Sequence, residues 1–282
     1  MARLAQLRLS MTVSVLLVAV IFSIFLAVIM AIARLPLIYA VVGTILFILI
    51  QYWIGPAIVR ASTRLRHLRS GEHPWLESTV KDLAQKSGVP SPKLAIVPDR
   101  TPNAFVFGRT SRDATLAVHE GLLAELHQAE VQGVIGHELG HIKHKDYLVM
   151  TALSALPLLA YLIARGTFEA ARFGARPRKK EGGGLGAALF AVAAISYLVY
   201  IVSLLCVMRL SRLREHYADA HSAYVTGSPR QLESALTKIA YGLSLSPTPP
   251  HGARTLYIGD PALARQECQG ILRRREEYDL DK

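Results

Sequence analysis

The sequence is poor in cysteine. It contains two, Cys206 in an apolar run and Cys268 near the end, which excludes the disulfide framework of a small secreted domain and favours a reducing compartment. Acidic residues are also scarce, since 21 Asp and Glu stand against 32 Lys and Arg, a net charge of +11. Apolar residues make up 51% of the 282 residues, and the mean hydropathy is +0.30. This composition is typical of a small membrane protein that crosses the bilayer several times.

Four apolar runs predict membrane helices. Residues 11–33 and 35–59 are each long enough to cross a bilayer core of about 30 Å. The first run is too long for a signal peptide, and no small-residue cleavage site follows it. Residues 148–164 and 185–208 predict a second hairpin, although the shorter of these runs is marginal in length. We therefore expect four spans.

Basic residues indicate which side of the membrane the loops occupy, because Lys and Arg favour the cytoplasmic side. The cluster that follows the second run could bind nucleic acid, but the adjoining span makes lipid headgroups the expected partner. Residues 165–184 are basic as well, so the second hairpin either crosses against this charge rule or packs in the membrane with its tip in the cytosol. The cluster after the second run consists of Arg60, Arg64, Arg66, His67 and Arg69.

The strongest motif is HELGH, from His137 to His141. Apolar residues around it recur at spacings of three and four, which predicts a helix with both imidazoles on one face, one turn apart. The two rings can then reach one metal ion, and Glu138 between them is placed to act as a general base. Zinc fits because it accepts imidazole nitrogen and keeps one position open for water in catalytic sites.

A catalytic zinc site needs a third protein ligand. His144 lies about 10 Å further along a straight helix than His137, too far for one ion that His141 also binds. No glycine breaks the helix directly after His141. His144 therefore fits a supporting or surface position better than a ligand position.

A better third ligand lies far along the chain, in residues 211–227. Glu215 and Asp219 stand four residues apart on one predicted helical face. Glu215 could complete the ligand set, and Asp219 could accept a hydrogen bond from the far nitrogen of a ligand histidine. His216 is a weaker candidate, since it points about 100° away from Glu215. The alternative is that residues 211–227 form a solvent-exposed helix of mixed charge that binds no metal.

The chain resembles a known family in three stretches, GHELGHIKHKD, SRLREHYADA and NAFVFG. Together they are similar to the HtpX-type membrane zinc metalloproteases, which are related to the type I CaaX prenyl proteases. The resemblance implies one Zn²⁺ per chain held by His137, His141 and Glu215, with Glu138 as general base and Asp219 supporting a ligand. It also implies a role in membrane protein quality control. The similarity covers residues 74–228 and thins beyond them.

The expected fold is a mostly α-helical, multi-pass membrane protein with a zincin-like α+β catalytic domain, in which a small sheet lies beside the HExxH helix. Because Glu215 must return to the side of His137, the number of membrane crossings between them must be even. The expected parts are an N-terminal hairpin in residues 1–60, a first catalytic part in 61–147, a second hairpin in 148–208, and a second catalytic part in 209–282.

An edge strand of the small sheet is the expected substrate site. Residues 103–108 are the candidate, with Asn103, Ala104 and Phe105 in contact with the substrate, because pairing to a strand edge holds a peptide backbone without demanding a sequence. Phe105 and Phe107 fit the core equally well. Either Arg230 or Arg254 could stabilise the oxyanion of the reaction.

The sequence thus predicts a zinc endopeptidase of the cell membrane that acts on protein substrates, chiefly membrane proteins, at a cytosolic active site. Its partners are the lipid bilayer and these substrates, with no nucleic acid, and the oligomeric state is open. A site-2-type intramembrane protease would place HExxH in an apolar span, whereas the residues before His137 are polar. A zinc-binding scaffold or metal carrier would need a fourth ligand, and His144 and His216 are poorly placed for that.

Overall fold

The computed structural model describes residues 36–174 and 183–245, together with positions 13, 20, 23, 25 and 26. These residues are mostly helical and include one small mixed sheet, which confirms the expected mostly α-helical fold with a small sheet. The helices are α1 Leu37–Thr63, α2 Pro74–Ser87, α3 Glu120–Glu125, α4 Gln128–His144, α5 Asp146–Gly174, α6 Gly183–Thr226 and α7 Pro229–Leu245, and the strands are β1 Arg66–His67, β2 Lys93–Val97, β3 Ala104–Phe107 and β4 Thr115–His119.

The chain forms two compact units. One comprises Met1–Trp53 and Leu148–Arg214, and the other comprises Ile54–Tyr147 and Glu215–Lys282. All the described candidate site residues belong to the second unit. The four-part division expected from the sequence stays a prediction.

Two described helical segments are long and apolar enough to cross a membrane, Val41–Thr63 and Gly186–Thr226. The second has 41 residues, about twice what one crossing needs. Its last part carries Arg209, Arg212 and Arg214, which predict that the chain re-enters the cytosol before Glu215. Residues 148–164 lie within α5, and their crossing stays a prediction. Most of the first expected span, residues 11–33, lies outside the described residues, as do Arg254, Cys268 and the charged residues 273–282.

In the first unit, α5 and α6 pack through small and branched apolar side chains. Leu156 and Ala160 of α5 share a buried cluster with Val207 and Leu210 of α6. This burial uses one face of each helix, while other apolar side chains such as Leu198 and Leu205 are exposed. Exposed leucines on a long apolar helix are what a lipid environment accommodates.

The second unit is built on a four-stranded sheet in the order β1-β2-β4-β3. β2 and β4 are parallel, whereas β1 with β2 and β3 with β4 are antiparallel. β3 is therefore an edge strand, as the substrate-site prediction requires. Short runs separated by Pro, Asp and Gly turns predict strands in residues 93–97, 103–107 and 114–118, and β2, β3 and β4 agree with them to within one residue. The two-residue β1 was not predicted.

The N-terminal end of α4 is held by one buried carboxylate. Glu130 accepts hydrogen bonds from the His127 backbone N–H at 2.8 Å, the Ser234 hydroxyl at 2.6 Å and the Lys238 ammonium at 2.8 Å. Burial alone would raise the pKa of Glu130, but these donors outweigh it and lower the pKa to about 2. This carboxylate fixes α4 to α7.

We expect Glu130→Ala to lower the free energy of unfolding by about 2 kcal/mol, because charge-assisted hydrogen bonds to a buried carboxylate are lost. The folded-state pKa lies below the ordinary value, so the stabilisation is present above the unfolded pKa and is lost as the pH falls toward about 2. Thermal unfolding of the purified protein in detergent at several pH values measures both effects. An equal loss in Glu233→Ala, which removes an exposed carboxylate of α7, would contradict this role.

Candidate metal centre

Glycines in α4 allow a close approach to the C-terminal part of α6. A Cβ at Gly140 would lie 2.9 Å from the Ala218 Cα, and one at Gly136 would lie 3.1 Å from the Ser222 hydroxyl. Larger side chains at these positions would push the helices apart. Since Glu215 lies one turn before Ala218, this packing brings its carboxylate beside the α4 histidines.

The structure brings the three predicted ligands together. The Nε2 atoms of His137 and His141 are 3.2 Å apart, and the Glu215 Oε2 atom lies 3.3 Å from His137 Nε2 and 3.8 Å from His141 Nε2. One potential ligand atom of each residue lies within 4.8 Å of the other two. The two helices thus present two imidazoles and one carboxylate to one point.

Each histidine is oriented by a carboxylate at its other ring nitrogen. Asp219 Oδ1 lies 2.9 Å from His137 Nδ1, and Asp146 Oδ2 lies 2.6 Å from His141 Nδ1. A carboxylate accepts a proton-bearing Nδ1, so in the neutral rings the proton lies on Nδ1 and both Nε2 lone pairs face the shared point. Carboxylate–histidine pairs of this kind commonly support metal ligands.

Sequence reasoning assigned no role to Asp146. The residue lies within the stretch that carries the family resemblance, five positions after His141, but a continuing helix would carry it away from that ring. Lys145 adopts a left-handed conformation, with φ of 56°, and ends α4. Asp146, the first residue of α5, follows directly, and its carboxylate reaches His141 Nδ1. The available signal was a carboxylate at the end of the polar run, just before the apolar residues 148–164.

The arrangement fits a zinc ion. Ligands about 2.0–2.1 Å from a tetrahedral ion lie about 3.4 Å from one another, close to the observed separations. Two facing nitrogen lone pairs beside a carboxylate repel one another unless a proton or a cation lies between them. The donor set, two imidazoles and one carboxylate with a further position available, is that of catalytic zinc sites.

The groups around His137 favour positive charge at this point. Burial lowers the pKa of His137, but the hydrogen bonds with Asp219 and Glu215 outweigh it and raise the pKa to about 10. A cation bound at Nε2 would take the place of the proton. The acidic groups around His137 therefore supply the charge balance that a divalent cation needs.

Glu138 lies beside the cluster and is buried, with 4% of its surface exposed. Burial raises the pKa of its carboxyl group against the opposing influence of His141 and His137. The backbone N–H of Val106 donates a hydrogen bond to this carboxylate. A buried carboxylate with a raised pKa is suited to accept and return a proton.

The hydrogen bond from Val106 shows that the edge strand β3 borders the candidate site. The His119 N–H donates to the Asn103 carbonyl at 3.0 Å, so residues 103, 105 and 107 pair with β4 in the alternating antiparallel pattern. The backbone groups of Ala104 and Val106 consequently point to the free edge. Val106 is a site residue that sequence reasoning missed.

The side chains of the expected substrate-binding residues are buried. Asn103, Ala104 and Phe105 are 0%, 1% and 6% exposed. Phe105 and Phe107 belong to one buried cluster with Ala117. Of the two possibilities for these rings, substrate contact and core packing, the structure therefore shows core packing. The backbone of this strand and the half-buried Val106 side chain are therefore left for contact with a substrate.

The competing ligand candidates lie elsewhere in the second unit. The His144 ring contacts the Tyr217 ring, with centroids 5.2 Å apart, and His216 is exposed. Arg230, one of the two candidates for stabilising the oxyanion, is an exposed residue in the first turn of α7. Neither histidine belongs to the cluster of His137, His141 and Glu215.

We expect Asp146→Asn to weaken zinc binding about 10- to 100-fold, because the charge that orients His141 is removed while an oxygen acceptor remains. Competition with a zinc chelator measures the affinity directly, independently of activity. Asp82→Asn removes an exposed carboxylate on α2 and should leave the affinity unchanged. Equal zinc affinity in Asp146→Asn and the wild type would show that the contact has no part in metal binding.

A histidine pair on one helix, a carboxylate from a later helix and a small sheet beside them define the class as metalloprotease. Residues 70–262 match the Peptidase family M48, and the chain belongs to this family, as its resemblance to HtpX-type proteases predicts.

Relatives support the same assignment. A protease HtpX homolog of Methanothermobacter thermautotrophicus is 38% identical over 237 residues, which cover 84% of this chain and 82% of the relative. A second homolog, from Thermococcus sibiricus, is 40% identical over 201 residues, 70% of this chain and 67% of the relative. The crystal structure of S. mikatae Ste24p has a similar fold, with a TM-score of 0.51 and 20% identity. That likeness covers 92% of this chain and 65% of Ste24p.

Proposed function

We propose that this protein is a zinc-dependent endopeptidase in which one Zn²⁺ per chain is bound by His137, His141 and Glu215. The observation that carries the proposal is the convergence of these three side chains, with ligand atoms within 4.8 Å of one another, beside the buried Glu138. A closed structural site would need a fourth protein ligand. In the part of the chain that the structure describes, the cluster has three members, which favours catalysis over a scaffold or carrier.

The chemistry divides between the ion and the chain. When bound, zinc supplies positive charge that polarises the scissile carbonyl and acidifies the attacking water. Glu138 accepts the proton of that water and delivers it to the leaving amine. Val106 holds the Glu138 carboxylate through its N–H, while Asp219 and Asp146 keep both Nε2 atoms directed at the ion.

The free edge of β3 is the proposed site for the substrate backbone. Ala104 and Val106 present their main-chain groups there, and an extended peptide can pair with them as an additional strand. Because the Val106 N–H is engaged with Glu138, the Val106 carbonyl and the Ala104 backbone would carry the pairing. Recognition through the main chain predicts broad sequence specificity.

Membrane proteins, or their cytosolic loops and ends, are the proposed substrates. The basic residues that follow residues 35–59 and those that precede Glu215 both favour a cytosolic position, and the HExxH helix lies in sequence between predicted spans. A role in membrane protein quality control agrees with this placement and with the HtpX-type relatives. The location would be the cell membrane.

Sealed membrane vesicles of both orientations test this function. We expect added casein to be cleaved by inverted vesicles, whose cytosolic face is outward, and not by right-side-out vesicles, with a zinc chelator abolishing the cleavage. Vesicles without the protein control for other proteases, and detergent should expose the activity in both preparations. Cleavage by intact right-side-out vesicles alone would place the site on the opposite face, and no cleavage even in detergent would contradict the peptidase.

A further inference from the structure

The end of α1 carries a charged surface that the peptidase reaction does not use. Residues 54–71 contain four arginines and no acidic residue. We call the stretch from Arg60 to Arg69 the basic segment. Its cationic side chains are all exposed: Arg60, Arg64, Arg66, His67 and Arg69.

The basic segment directly follows an exposed apolar surface. Ile54 and Ile58 of α1 are 48% and 60% exposed, and they lie in the candidate membrane span Val41–Thr63. From Ile58 to Arg60 the exposed side chains change from apolar to cationic within one helical turn. A change of this kind is expected where a helix passes from the hydrocarbon of a bilayer to its headgroups.

Much of the positive charge on this segment is not neutralised by the protein. Arg66 donates to Glu72 at 2.8 Å, and the Arg60 Nε–H donates to the Pro56 carbonyl at 3.3 Å. In residues 36–174 and 183–245, neither the Arg64 nor the Arg69 guanidinium forms an ion pair. Both are thus oriented toward solvent with their full charge.

The chain beyond α1 places three of these cations beside one open depression. Arg64 has a positive φ of 52° and lies directly beyond the last residue of α1, after which Arg66 and His67 form the edge strand β1. An open depression of 520 Å³ lies beside them, lined by Arg66, His67, Arg69, Ser70, Gly71 and Glu72. Its two guanidinium groups outnumber its one carboxylate, so it favours an anion.

We propose that the basic segment binds the phosphate groups of anionic lipid headgroups, so that the second unit is held at the surface of an acidic membrane. Guanidinium groups bind phosphate through paired hydrogen bonds, and each Arg near such a surface strengthens attachment about fivefold. Nucleic acid offers the same phosphates but no apolar partner for Ile54 and Ile58, which directly precede the segment. A lipid layer satisfies both the apolar and the cationic side chains.

Hydrogen exchange of the full chain in nanodiscs tests the proposal. Exchange of residues 60–72 should be slower, by about fivefold or more, in discs that contain phosphatidylglycerol than in discs of phosphatidylcholine alone. The variant Arg60→Gln/Arg64→Gln/Arg69→Gln should exchange equally in both. The control Lys81→Gln/Lys86→Gln/Arg112→Gln, which removes three exposed cations of the same unit, should behave like the wild type. The protection should weaken in about 0.5 M salt, where the screening length falls to a few ångströms.

The remaining outcomes distinguish the sources of phosphate. Equal exchange of the wild type in both kinds of disc would overturn the proposal. Protection in phosphatidylcholine discs on addition of inorganic phosphate would identify a free-anion site, and protection there by a DNA duplex would identify nucleic acid; either result would contradict a lipid site. If the triple variant does not fold, the single variant Arg64→Gln, beyond the end of α1, should still show a reduced difference between the two lipids.

Discussion

Glu138→Gln is expected to lower casein hydrolysis about 100- to 10,000-fold while the protein keeps its zinc. The amide has the size of the carboxylate and retains an oxygen that can accept the Val106 N–H. It cannot accept a proton from water. Glu138 has no predicted role as a ligand, so the metal content should not change.

Zinc content and kcat/KM, measured on the same purified preparations in detergent, separate the two properties. Glu120→Gln, which alters an exposed carboxylate at the start of α3, serves as the matched control and should retain full activity. Undiminished hydrolysis by zinc-loaded Glu138→Gln would mean that another group acts as the base. Loss of zinc together with activity would indicate that Glu138 is itself a ligand.

The HExxH half of the site could be predicted because its geometry is local. On any helix, His137 and His141 lie on one face, one turn apart. Their proximity can therefore be predicted once the periodicity of the surrounding apolar residues predicts a helix. Glu215 is more distant in the chain, and its place follows from packing that spacing alone does not give. Two signals indicated Glu215 as the third ligand, namely the helical face that it shares with Asp219 and the family resemblance. The physical reason for its position is the close approach of α6 to α4 at Gly136 and Gly140.

The parts that could not be predicted depend on single backbone conformations or on strand register. Asp146 reaches His141 because Lys145 is left-handed, a conformation that is uncommon for a lysine. The contact of Val106 with Glu138 depends on which alternate residues of β3 pair with β4. A one-residue change of register would have presented Phe105 instead, and nothing in a four-residue apolar strand determines this choice.

The length of α6 joins two stretches that the sequence describes one by one. The sequence predicts an apolar span in residues 185–208 and a helical face in 211–227, and the structure has both in one helix of 44 residues, Gly183–Thr226. Neither Gly nor Pro occurs between Arg209 and Thr226, so no residue there favours a break. Glu215 and Asp219 are therefore carried on the same helix as the apolar segment. A turn between residues 185–208 and 211–227 would have made the position of Glu215 depend on the conformation of a loop.

Glu215→Ala should lose most of its zinc, and with it the hydrolysis of casein. Removal of one of three ligands should weaken zinc binding more than the roughly 10- to 100-fold that loss of an outer-shell contact costs. His137 and His141 alone do not make a catalytic zinc site. Without the Glu215 carboxylate, the cluster also loses part of the negative charge that offsets a divalent ion.

Two neighbours on α6 provide the comparison. His216→Ala removes an exposed ring next to Glu215 and should retain zinc and activity, while Asp219→Asn should show the smaller, outer-shell loss of affinity. The order of zinc affinity should thus be wild type and His216→Ala, then Asp219→Asn, then Glu215→Ala. Full zinc in Glu215→Ala with loss in His216→Ala would exchange the roles of these adjacent residues. That result would require α6 to be rotated by about 100°, with Asp219 then turned away from His137.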